Sequence, residues 1–140
     1  MIQRFIYIFL IIFFLPNILF AKSKYIQEGI NLYNNDKLEE AKFKFEQDIV
    51  FNPKSELSYL YLSKIFNKQD KKNLEEQNLK VVMLLNPTNE EAIYYLVKLK
   101  LKASDYKKSK ELNKRLIMIC RDFCKKSKKL KVEIENLSKK

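Results

Sequence analysis

Asn52-Pro53-Lys54-Ser55 returns as Asn86-Pro87-Thr88-Asn89, thirty-four residues further along the chain. Each Asn-Pro pair closes a long apolar stretch with helical spacing, and the same step carries Tyr25 onto Tyr59. A fixed step of this length means one supersecondary unit stacked on copies of itself, because a lone helix pair cannot bury its apolar face. Stacked units of this kind offer extended binding surfaces. The step therefore bears on function as well as fold.

The bulk composition agrees. At 140 residues the chain makes at most one domain. One glycine and three prolines supply too little turn chemistry for a many-stranded β fold. There is no histidine, which removes the commonest general base and the commonest metal ligand. The formal charge of +11 brings nucleic acid, anionic lipid and acidic proteins into consideration as partners.

The N-terminus narrows that set. Met1-Ile2-Gln3-Arg4 carries one charged side chain, Phe5 to Phe20 carries none, and Ala21-Lys22-Ser23 opens the polar chain. This is the three-part pattern of a secretory signal, with cleavage after Ala21. The alternatives are an uncleaved anchor in the inner membrane and a buried N-terminal helix. As a helix, residues 5–21 would rise about 25 Å, short of the ~30 Å hydrocarbon core. Pro16-Asn17 also interrupts the run. No cysteine lies near the cut to accept a lipid. Residues 1–21 thus read as a signal peptide, and the mature chain as periplasmic or secreted. Export takes nucleic acid off the list of expected partners and permits disulfides.

Residues 22–55 form the first unit. Tyr25, Gly29, Leu32 and Tyr33 recur at helical spacing and give a helix from about Lys24 to Asn34. Asn34-Asn35-Asp36 supplies a turn and an N-cap. Leu38, Ala41, Phe45 and Ile49 line one face of a second helix, which Pro53 closes by biasing the residue before it out of the helical region. On these positions the unit resembles a tetratricopeptide repeat (TPR). Tyr25 stands at the family's first aromatic position, Gly29 and Ala41 at its small positions, Leu38 and Phe45 at large ones, and Pro53 at the closing proline. Small residues let paired helices approach while large ones fill the flanking grooves. Glu28 and Asp48 depart from the pattern, and both are read as belonging to an edge with one solvated face.

Residues 56–89 make a second unit, with Tyr59, Leu62, Ser63 and Phe66 repeating the first helix. Its second helix is less regular. Lys72 and Glu75 fall where Leu38 and Ala41 fell, so Leu74, Leu79, Val82 and Leu85 suggest a late start and a shifted face. Residues 90–123 form a third, degenerate unit on Ile93, Leu96, Val97, Tyr106 and Ser109, with Asn113 in the place of Phe45. Leu112, Leu116 and Ile119 keep its apolar stripe. Residues 124–140 then form a capping helix that covers the last apolar face. The resemblance implies an all-α, right-handed helix–turn–helix solenoid of about three repeats, ending in that helix and preceded by the signal helix. An irregular α-helical bundle with two chance Asn-Pro stops is the competing architecture.

Cys120 occupies the register slot of Asn52 and Asn86, and Arg121 replaces the expected proline. We infer a Cys120–Cys124 disulfide that staples this turn, worth about 2 kcal/mol on the chain-entropy view. Free or redox-active thiols and a metal site are the alternatives. The C-x-x-x-C spacing lacks the redox register, and two thiolates without histidine make a poor zinc site.

Charge is uneven along the chain. Residues 22–95 hold 11 lysines against 12 acids, whereas residues 96–140 hold 16 lysines and arginines against 5 acids. A neutral half joined to a basic half hints at an acidic partner or an anionic surface, and a solvated lysine-rich composition is the competing explanation. First helices of such repeats usually line the concave face. The register puts Ile26, Ile30 and Tyr33 there from the first unit, Leu60, Lys64, Asn67 and Lys68 from the second, and Tyr94, Lys98, Leu101 and Lys102 from the third. An apolar end grades into a basic end, which suits an extended or helical peptide. Tyr33 and Tyr94 serve equally well as packing residues. The pairs Glu39-Glu40, Glu75-Glu76 and Glu90-Glu91 sit near helix starts and oppose the helix dipole there. No catalytic residues, cofactor or metal site are expected.

The leading expectation is an exported protein-interaction module, an adaptor or assembly factor binding a protein or peptide. The alternative is an envelope-associated protein whose basic half docks on anionic lipid or cell-wall polymer. The sequence does not specify the oligomeric state.

Overall fold

The computed structural model describes residues 24–139, and the expected signal peptide at 1–21 lies outside them. All regular structure among the described residues is helical. Helices α1 (Lys24–Asn34) and α2 (Leu38–Phe51) form the first pair. Helices α3 (Glu56–Lys68) and α4 (Lys72–Leu85) form the second, and α5 (Glu90–Lys102) and α6 (Tyr106–Ile119) the third. Helix α7 (Cys124–Leu137) follows. Consecutive helices pack on one another, α1 also meets α3, and α5 meets α7. The described residues form a helical solenoid of three hairpins closed by a seventh helix.

The thirty-four-residue step is built into the backbone. Asp36, Asp70 and Ser104 occupy the same place in successive units, each with positive φ (58°, 52° and 58°). The amide after each reaches five residues back: Lys37 N–H to Leu32 C=O, Lys71 to Phe66 and Asp105 to Lys100, all at 2.9 Å. A second amide bond, from Asp36 to Tyr33, Asp70 to Asn67 and Ser104 to Leu101, completes a Schellman closure. The first turn therefore corrects one expectation. Asp36 does not cap α2; it ends α1 in the left-handed conformation, which short polar side chains tolerate. Lys37 stands at the cap position and gives no side-chain cap bond.

Two other expectations change. Helix α4 begins at Lys72, thirty-four residues after Leu38 begins α2, so its start is not late and its face is not shifted. Glu75 is buried where Ala41 is buried, and Leu74 is partly exposed. The carboxylate is tolerated there because Asn67 Nδ2 donates to it at 2.9 Å. Asp48 is not on a solvated edge either. It is fully buried and accepts from Ser58 Oγ at 2.6 Å, which in turn accepts from Ser55 Oγ at 3.0 Å. Only Glu28 keeps a solvated side, paired to Lys44 at 2.7 Å.

Packing within a pair depends on complementary sizes. A Cβ on Gly29 would lie 2.8 Å from Phe45 Cε1. Phe45 is fully buried and stacks on Tyr61 with ring centroids 4.9 Å apart, so it has no room to retreat. The corresponding slots hold Ser63 with Leu79, then Val97 with Asn113. The residue on the first helix grows as its counterpart on the second shrinks. Asn113 stays satisfied on one side by donating to Ser127 C=O at 3.0 Å.

The links between pairs also repeat. Asn52 and Asn86 are extended before proline, and each donates its N–H four residues back. Cys120 is extended likewise, without a proline to impose it. Here the Cys120 and Cys124 sulfurs are bonded, with Cα atoms 5.2 Å apart. The Glu90 carboxylate holds the same link by accepting from the backbone N–H groups of Arg121, Asp122 and Phe123 at 2.7, 3.1 and 2.9 Å. Glu56, thirty-four residues earlier, accepts from the Asn86 and Asn89 side chains of the preceding link. These glutamates, which open α5 and α3, thus brace the start of the next unit as well as opposing the helix dipole.

Two outcomes follow. Gly29→Ala should destabilise the fold by about 1–3 kcal/mol, offset in part by better helix propensity. The cost should shrink in a Phe45→Leu background, and thermal unfolding of the double-mutant cycle measures the coupling. Burial opposes the charge on Glu90, but the Phe123, Arg121 and Asp122 amides prevail and hold its pKa below the usual carboxylate range. Its stabilisation is therefore complete above the ordinary carboxylate pKa and is lost as pH falls through the lowered value. Glu90→Gln should cost about 1 kcal/mol at neutral pH, and the gap from the parent should close in acid.

Candidate functional site

The first helices of the three pairs present one aromatic and basic face. Tyr33 on α1 meets Tyr61 on α3 edge-on, with centroids 5.2 Å apart and planes at 82°. Tyr94 and Tyr95 on α5 pack edge-on at 5.6 Å, and Tyr94 continues to Phe123 at 5.4 Å. Burial raises the Tyr95 pKa, and the neighbouring Glu91, Tyr33, Tyr94 and Glu75 raise it further. These groups therefore share one half-sheltered region spanning three helices. Burial, then Glu91, raises Tyr61 in the same way. Both phenols stay protonated and keep a donor to offer.

Lysines lie over these rings. Lys64 Nζ is 4.6 Å from the Tyr61 centroid and 2.7 Å from Glu91. Lys68 Nζ is 4.7 Å from the Tyr33 centroid and 2.8 Å from Asp36. The Asp36 hydrogen bond raises the Lys68 pKa. Lys126 sits 4.0 Å over Phe123. Each contact pairs a cation with a ring face, and two of the cations are also neutralised by carboxylates. Lys98 and Lys102 make no ion pair among the described residues. They instead oppose the burial of Glu75: desolvation raises its pKa, while the Asn67 bond and then Lys102 and Lys98 pull it down.

The eleven residues that the sequence assigned to a groove divide. Ile30, Tyr33, Lys64, Asn67 and Tyr94 are half-buried, and Lys68, Lys98 and Lys102 are exposed. Ile26, Leu60 and Leu101 are buried at 7%, 4% and 8% exposure and present little side-chain surface. The expected gradient from apolar to basic is also altered, because Glu91 and Asp36 neutralise Lys64 and Lys68. Open charge concentrates at Lys98 and Lys102. Sequence reasoning missed Tyr61, Tyr95, Glu75 and Glu91. The thirty-four-residue step held the signal for the tyrosines, since Tyr61 and Tyr95 share one register position. No cluster of metal-ligating side chains occurs among the described residues.

No protein-family profile and no curated protein sequence matches this chain. Solved structures do. The Yersinia enterocolitica type III secretion chaperone SycD in complex with a peptide of the translocator YopD superposes with a TM-score of 0.74. That match has 12% identity and covers 82% of this chain and 90% of that one. The first TPR of Spaghetti (RPAP3) bound to an HSP90 peptide gives a TM-score of 0.70 at 13% identity, over 82% of this chain and 88% of that one. The Sgt2 TPR domain from Aspergillus fumigatus gives 0.71 at 16% identity, over 84% and 81%. The fold is the TPR fold.

Glu75 gives this region a measurable signature. Its folded pKa is raised, so its charge costs stability once the pH exceeds the ordinary carboxylate value. Glu75→Gln, which keeps an acceptor for Asn67, should raise the melting temperature at neutral pH. The gain should vanish in acid, where both side chains are uncharged, and calorimetry across that range checks the sign.

Proposed function

We propose that this chain is an exported protein-interaction module, an adaptor or assembly factor that holds a peptide or helix of a partner protein against the face lined by Tyr33, Tyr61, Tyr94 and Tyr95. The observation that carries the reading is the aromatic row itself. It runs across three helix pairs, burial keeps the Tyr61 and Tyr95 phenols protonated, and open cations sit at one end. Tyrosines give large contact area at low entropic cost. Lys98 and Lys102 add selectivity for a partner segment with acidic residues at that end. Proteins of the same fold have been solved with peptides, YopD for SycD and HSP90 for RPAP3, which supports the mode without naming the partner. The signal-like run at residues 1–21 and the Cys120–Cys124 bond support placement in the periplasm.

The test uses the chain in its native envelope. A photo-crosslinking residue replacing Lys102 should trap a protein partner, whereas the same residue at Lys107 should not. Crosslinks confined to Lys107, or none at either position, would remove the reading. Intact mass of the purified protein checks export. A mass starting at Lys22 and short by two hydrogens is expected, and a reduced full-length chain in the cytosolic fraction would refute the location.

A further inference from the structure

The basic surplus of the C-terminal half lies largely outside the tyrosine face. Two shallow grooves flank α6. One, of about 660 Å³, runs between α4 and α6 and brings Leu84 and Met118 beside Lys80, Lys114 and Arg115. The other, of about 340 Å³, runs between α6 and α7 and gathers Lys110, Lys114 and Lys131 around Ile117 and Ile134. Lys80 is tied to Glu76, and Arg115 donates to the Pro87 carbonyl. Lys110, Lys114 and Lys131 make no ion pair or side-chain hydrogen bond among the described residues. The acids here are Glu111, which Lys108 holds, and Glu135.

An apolar row crosses the same side. Val50, Leu84 and Met118 occupy one register position in successive second helices, with exposures of 75%, 81% and 70%. Phe51, beside Val50, is 73% exposed and stacks on Tyr25 at 5.5 Å. Tyr25 lies in the first turn of α1, five residues after the uncharged run of residues 5–20 ends. The start of the row is therefore also the place where chain coming from a membrane, during export or anchoring, would enter the fold.

We propose that this outer side, formed by α2, α4 and α6 with the edge of α7, docks on an anionic bilayer. Protein interfaces gather their anchors in a packed centre and are poor in lysine. This side does the opposite. Its large apolar side chains are strung out along the row, from Val50 and Phe51 to Leu84 and Met118, and Lys110, Lys114 and Lys131 are uncommitted. A bilayer interface accepts single apolar side chains and responds to charge density rather than to fixed donor geometry. The surface is separate from the tyrosine face, so a partner protein and a membrane would be held on different sides.

Flotation of the exported chain, beginning at Lys22, with vesicles provides the test. Binding to vesicles of equal parts phosphatidylglycerol and phosphatidylcholine should exceed binding to pure phosphatidylcholine, and should weaken steeply as salt is added. Leu84→Gln/Met118→Gln should reduce the partition coefficient by roughly tenfold or more, and Lys110→Gln/Lys114→Gln/Lys131→Gln should do the same. All five positions are solvent-facing or on the groove rim, and circular dichroism confirms that the variants remain folded. Equal binding to neutral vesicles would overturn the proposal. So would variants that bind like the parent, or capture of an acidic amphipathic peptide in the α4–α6 groove with no vesicle binding.

Discussion

Three residues held at positive φ set the geometry of this protein. Asp36, Asp70 and Ser104 each end one helix and aim the next, with the same pair of backbone bonds closing each turn. Because a solenoid adds the same rotation at every step, any drift at one turn would be carried through the rest of the stack. The common turn fixes how each hairpin is presented to its neighbour. Tyrosines on α1, α3 and α5 can form a continuous face only because those helices arrive in register.

Within that frame the core is not uniform. Gly29 with Phe45 and Val97 with Asn113 fill equivalent space by opposite means. Polar groups replace apolar ones where a donor is at hand: Asn67 for Glu75, Ser58 for Asp48. Bonds of this kind offset the desolvation that would otherwise make a buried carboxylate untenable. The third link loses its proline and is held by a disulfide and by three amides on one carboxylate. Different chemistry keeps the same backbone path at each junction.

The sequence revealed what is carried by repetition and apolar spacing. The Asn-Pro echo located the links, and the stripes through Ala41, Phe45, Ile93 and Leu116 located buried faces. It misjudged positions where a polar residue sits inside. Glu75 looked like a sign of a late helix start because its partner, Asn67, is on the preceding helix. Asp36 looked like a cap because caps and left-handed turns favour the same side chains. The candidate site was half legible. Register found Tyr33, Tyr94, Lys98 and Lys102, whereas the neutralising contacts of Lys64 and Lys68 join residues twenty-seven and thirty-two positions apart. No local pattern announces such contacts.

The bonded trio of Asp48, Ser58 and Ser55 has a consequence for the order of the units. It lies where the first hairpin meets the second, and the slots matching Asp48 and Ser58 at the next junction hold Val82 and Ala92. Were the hairpins shuffled, the Asp48 carboxylate would confront a methyl group and Val82 would confront a hydroxyl. Look-alike modules thus carry distinct addresses in their interiors, and the arrangement cannot be permuted like beads on a string.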